Sequence, residues 1–122
     1  MNGVKFGITL VLLMASLQGV NSAEFPASLV VPTAQELSAF ITGQAAQGTF
    51  ADGTSVQSIY GADGTLIASA PSFSDAGRWR VEDGRICGSL RKLGEFCNDA
   101  RLDSGSLYLR RKNGEIVRYE VK

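Results

Sequence analysis

From Ser55 onward the chain alternates apolar and polar residues in short segments, and glycine-containing pairs interrupt it at a regular beat. The breaks fall at Asp52-Gly53, Asp63-Gly64, Asp75 to Gly77, Asp83-Gly84, Gly94, Ser104-Gly105 and Asn113-Gly114. Alternation at period two is the signature of a strand with one face buried. Several such segments, spaced by turn signals about ten residues apart, mark an all-β sandwich or barrel. A small sheet leaves fewest unpaired edges when it closes on itself. The predicted fold is therefore mainly β: a small antiparallel up-and-down barrel of about eight strands, lipocalin-like in shape, with one short N-terminal helix.

The pairing register can be read most closely between Arg78 and Leu102. A two-residue turn at Asp83-Gly84, with both central residues at positive φ, sets Glu82 beside Arg85, Val81 beside Ile86 and Trp79 beside Gly88. If Cys87 faces Cys97 on the next strand, Phe96 flanks Gly88 from the other side. Two aromatic rings then cover one bare strand position. At the last hairpin, parity selects a three-residue loop, Lys112-Asn113-Gly114, which puts Leu109 beside Val117 and Leu107 beside Tyr119. A two-residue turn would mix the faces, because a slip of one residue turns the buried set outward. Trp79, Val81, Ile86, Phe96, Leu107, Leu109 and Val117 are the expected inward set.

Upstream, Thr33 and Glu36 have capping-box spacing, Leu37, Phe40 and Ile41 share a helical face, and Gly43 can end the helix. Phe25 to Pro32 reads as a proline-bounded extended piece. Before it, Lys5, the apolar run Ile8 to Leu17 and the small residues Gly19 to Ala23 have the layout of a secretory signal peptide. The run is short for a membrane span. The expected organisation is a signal peptide over 1–22, an extended segment over 23–32, and one domain over 33–122 without a membrane span.

Composition changes this picture in three places. The two cysteines of an exported chain meet an oxidising compartment, and a Cys87–Cys97 disulfide would stabilise a domain of this size by about 3 kcal/mol. The balanced charge hides a split: five acids and no base between Ala23 and Gly77, then eleven bases against seven acids from Arg78 onward. Arg78, Arg80, Arg85 and Arg91 share the outward parity of Cys87 and form a candidate patch for an acidic partner. The alternative is the ordinary wet face of an antiparallel sheet. Finally, the chain has no histidine, which excludes Ser-His-Asp and Cys-His catalysis and leaves no zinc-ligand set.

Candidate chemistry is otherwise sparse. Asp52, Asp63 and Asp83 adjoin turn glycines, so turn geometry accounts for them. Polar residues on the inward face carry more information: Ser58 between Val56 and Tyr60, Asn98 between Phe96 and Ala100, and Tyr119 between Val117 and Val121. Buried polar groups need partners, and a small barrel can hold one small ligand among them. Ser58, Tyr60, Asn98 and Tyr119 are accordingly the candidate interior contacts. The alternative is that they bond to one another, to backbone or to trapped water in a filled core.

The landmarks Tyr60, Asp63-Gly64-Thr65, Gly77-Arg78-Trp79, Cys87 and Cys97, after a helix centred on Leu37, resemble those of a family of small exported proteobacterial proteins classed as a domain of unknown function. Leu90 or Arg91 stands where that family has a tryptophan. The resemblance implies a periplasmic or secreted location in a Gram-negative bacterium and supplies no site residues. The expected function is a non-enzymatic, monomeric binding module for a small molecule or an envelope partner. It is expected to use no cofactor, metal or nucleic acid. Second is a protein–protein module, an inhibitor or host-interaction factor using the arginine face. A carboxylate-dependent hydrolase ranks last.

Overall fold

The computed structural model describes residues 24–122; the signal peptide expected over 1–22 lies outside the described residues. Helix α1 (Ala34–Ile41) precedes eight strands. They are β1 (Gln44–Thr49), β2 (Ser55–Tyr60), β3 (Thr65–Ala70), β4 (Phe73–Glu82), β5 (Arg85–Leu90), β6 (Gly94–Asp103), β7 (Ser106–Arg110) and β8 (Ile116–Val121). Each pairs antiparallel with its neighbours in chain order, and β8 returns to β1 through Ala46↔Val121 and Gly48↔Tyr119, closing the barrel. Closure leaves no exposed edge, the reason for expecting it in a sheet this small.

Both hairpins read from the sequence have the expected register. Trp79 pairs with Gly88, Val81 with Ile86, Cys87 with Cys97 and Gly88 with Phe96. A Cβ on Gly88 would lie 2.2 Å from the Arg78 carbonyl and 2.9 Å from the Phe96 ring, so the bare position is where neighbouring backbone and aromatic ring close in. Leu109 pairs with Val117 and Leu107 with Tyr119. The three-residue loop between them is closed by the Arg111 N–H on the Glu115 carbonyl (2.6 Å), with Gly114 at φ 93°.

Three details differ from expectation. Asp75 to Gly77 is not a turn but the middle of β4. Gly77 is there for close approach, since a Cβ would meet the Ser89 carbonyl oxygen at 1.8 Å. Asp75 faces inward and holds a different turn, described below. At Asp83-Gly84 only the glycine has positive φ (71°); among the described residues Ser104 is the one non-glycine that does. The turn is held from outside instead, by the Gly84 N–H on the Pro32 carbonyl (2.7 Å) and the Ala34 N–H on the Asp83 carboxylate (2.8 Å). The segment from Phe25 to Pro32 is also not extended throughout. A turn closes from the Leu29 N–H to the Pro26 carbonyl (3.1 Å), and the Phe25 ring lies under the guanidiniums of Arg101 and Arg110, 4.5 and 4.7 Å from its centroid.

The capping box on α1 is complete. The Glu36 N–H donates to the Thr33 hydroxyl (3.1 Å), and the Thr33 N–H donates to the Glu36 carboxylate (2.9 Å). The helix is too short to persist alone. Its Leu37 and Ile41 are fully buried against the barrel core, and Gly43, at φ 76°, leads the chain into β1. Since α1 is anchored on the β4–β5 turn, it covers the barrel end that also carries the β2–β3 and β6–β7 turns. The opposite end carries the β1–β2, β3–β4, β5–β6 and β7–β8 connections.

Candidate functional site

The inward parity that buries Ile86, Leu107 and Val117 also carries the polar residues inside. Ser58 pairs with Ala46 and Ala68, Asn98 with Ile86, and Tyr119 with Leu107 and Gly48. All four candidate interior residues, Ser58, Tyr60, Asn98 and Tyr119, line one cavity of about 500 Å³ at the end opposite α1. Its apolar walls come from Leu66, Ala68, Leu90, Phe96 and Leu109. A volume of this order falls within the ~300–1,000 Å³ of small-molecule sites.

Tyr60 and Tyr119 are 3% and 7% exposed, so both phenols are withdrawn from water. Burial pushes Tyr60 far above the usual tyrosine range; the nearby Tyr119 adds to this, while the Ser58 hydroxyl beside it favours the phenolate slightly. Burial likewise pushes Tyr119 up to about 12, with Arg111 opposing and Glu115 reinforcing. Two neutral phenols and a hydroxyl therefore sit together in the cavity. Trp79 closes the structure behind them: its ring meets Tyr60 edge-on (5.6 Å, 83°) and its indole N–H donates to the Gly61 carbonyl (2.9 Å).

The rim is charged, and the sequence reading did not single it out. Arg111 follows Leu109 by two residues on the same face, a parity that already points it inward. Its guanidinium lies 3.6 Å from the Phe50 ring centroid and 2.6 Å from the Glu115 carboxylate. The other Glu115 oxygen accepts the Ala51 N–H, so this pair ties the β1–β2 and β7–β8 loops together. Lys112 and Glu95 complete the rim. Asp75, 4% exposed, holds the β5–β6 turn that contributes Leu93 and leads into Glu95 at the start of β6. Burial alone would raise its pKa, but the backbone N–H groups of Leu93 (2.9 Å), Lys92 (3.0 Å) and Ala76 (2.8 Å) outweigh it and hold the carboxyl below its usual value. These partners lie up to eighteen residues away in sequence, so only the folded register assembles them.

On the outer face, Arg80 and Arg85 both approach Glu82, at 3.7 and 3.6 Å, and Arg78 donates to the Asp63 carbonyl (3.0 Å). Arg78 and Arg91 line a groove of about 500 Å³ with Ile67. Cys87 and Cys97 form the expected disulfide, with Cα atoms 4.0 Å apart. Glu82 lies within 4.8 Å of both sulfurs, but these are bonded to each other, so the trio offers a metal one carboxylate and no thiolate. No helix of the described residues is long and apolar enough to cross a membrane. No protein-family pattern, no curated protein and no solved structure matches the chain.

Proposed function

We propose that the protein is a non-enzymatic binding module that takes a small molecule into the open end of its barrel. The observation that carries this reading is the cavity itself: apolar walls around Ser58, Tyr60, Asn98 and Tyr119, with two deeply buried phenols facing it. Convergent polar groups in an otherwise apolar pocket are the usual form of a small-molecule site. We place the protein, as a monomer, in the periplasm or outside the cell; the signal-like N-terminus and the Cys87–Cys97 disulfide support that location. The resemblance to small exported proteobacterial proteins agrees with it.

The arginine face supports a partner-binding reading less well, because three of its four guanidiniums already have partners within the molecule. A carboxylate-dependent hydrolase would need paired carboxylates in the cavity, and among the described residues Glu95 at the rim is the one carboxylate lining it.

Native mass spectrometry of protein recovered from its export compartment tests the proposal. The wild type should carry a non-covalent small-molecule adduct. Ala68→Phe, which fills the cavity from its wall, should lose the adduct while keeping its far-ultraviolet spectrum. An adduct retained by Ala68→Phe, or none on the wild type, would contradict the reading.

A further inference from the structure

Resting on the small-molecule reading, the geometry points to the ligand's class: an uncharged molecule with an apolar body and a hydrogen-bond-accepting oxygen, such as a ketone, ester or amide, bound oxygen first. Tyr60 and Tyr119 contribute two phenols to the cavity lining, the Ser58 hydroxyl donates to Tyr60 and so leaves the phenol proton available to a ligand, and the Asn98 amide can donate or accept. Around them the walls are hydrocarbon and aromatic. No ionised side chain lines this inner part among the described residues; the charged groups of the lining, Arg111, Lys112 and Glu95, belong to the loops and strand end at the mouth.

Charge decides against the other classes. An ionic head carried inward would leave water with no opposite charge to meet it, which is costly. The phenols report the same environment, since burial there disfavours the anionic form of both. At the mouth, Arg111 is already committed to Glu115 at 2.6 Å and to the Phe50 ring. A carboxylate ligand would compete there with Glu115, whose other oxygen anchors the Ala51 N–H. Lys112 and Glu95 are opposite in sign and give the rim no strong preference for either charge.

The test uses N-phenylnaphthylamine, an uncharged probe that fluoresces in apolar surroundings, displaced at neutral pH by three molecules of matched length: methyl octyl ketone, decanoate and decylamine. The ketone should displace the probe at concentrations at least about tenfold below those of either ion. Tyr60→Phe and Tyr119→Phe should each raise the ketone concentration needed about threefold to tenfold, the worth of one hydrogen bond, after correction for the probe affinity measured separately on each variant. Ser58→Ala gives the same comparison with minimal disturbance should a tyrosine variant fold poorly. Displacement by decanoate or decylamine as effective as by the ketone would overturn the assignment, as would three variants that bind the ketone like the wild type. Failure of the probe and all three compounds to bind the wild type would instead reject the small-molecule reading.

Discussion

Tyr119 shows how a single residue links stability to the site. Its phenol lines the cavity and feels the charges of Arg111 and Glu115, and burial raises its pKa from 10 to about 12. In the unfolded chain the proton leaves near pH 10, so the folded state binds more protons above that value. Stability from this group is complete below pH 10 and should fall by about 2–3 kcal/mol as pH rises to 12. Melting curves across that interval should show the loss, and Tyr119→Phe should show less of it. Trp79 gives a second prediction. It is half-buried rather than fully enclosed, so its cost on truncation comes from the edge-on contact with Tyr60, the indole bond to Gly61 and core packing together. Trp79→Ala should cost about 2–4 kcal/mol and Trp79→Phe about 1 kcal/mol, measured by urea unfolding.

At the scale of elements, the β4–β5–β6 hairpins hold the wall of the barrel together. Replacing Cys87 and Cys97 by serine should cost about 2–4 kcal/mol, and non-reducing peptide mapping should find the pair linked in the native protein. Free thiols would contradict that. Gly77→Ala should cost about 2–3 kcal/mol, because a Cβ at 1.8 Å from the Ser89 carbonyl forces β4 and β5 apart. These elements were legible in the sequence because turn glycines and face parity together leave one register; the Lys112–Gly114 loop was chosen by parity alone. Asp75 was misread as a turn residue for a physical reason. A carboxylate can serve its own turn or one that folding brings beside it, and local sequence does not distinguish them. Arg111 was legible in principle, two residues beyond inward-facing Leu109, but a charged residue next to a loop reads as solvent-exposed until Phe50 and Glu115 are seen around it.

For the whole molecule, the two barrel ends have different roles. One is covered by α1, whose Leu37 and Ile41 complete the core and whose capping bonds hold it over the β4–β5 turn. Thr33→Ala should therefore cost about 1 kcal/mol in unfolding measurements without altering the cavity at the far end. The other end is tied by the Arg111–Glu115 pair and the Asp75-held turn, and it opens onto Ser58, Tyr60, Asn98 and Tyr119. The sequence placed these four on the inner face. It did not decide between a filled core and a cavity, since that depends on how Ala68, Leu66 and Leu90 divide the interior volume. The most direct test is a backbone amide chemical-shift titration of the folded protein with N-phenylnaphthylamine. The account predicts saturable shifts concentrated at Ser58, Ala68, Phe96, Asn98 and Tyr119, with Arg78, Arg80 and Arg85 undisturbed; shifts confined to the arginine face or to the surface around α1 would contradict it.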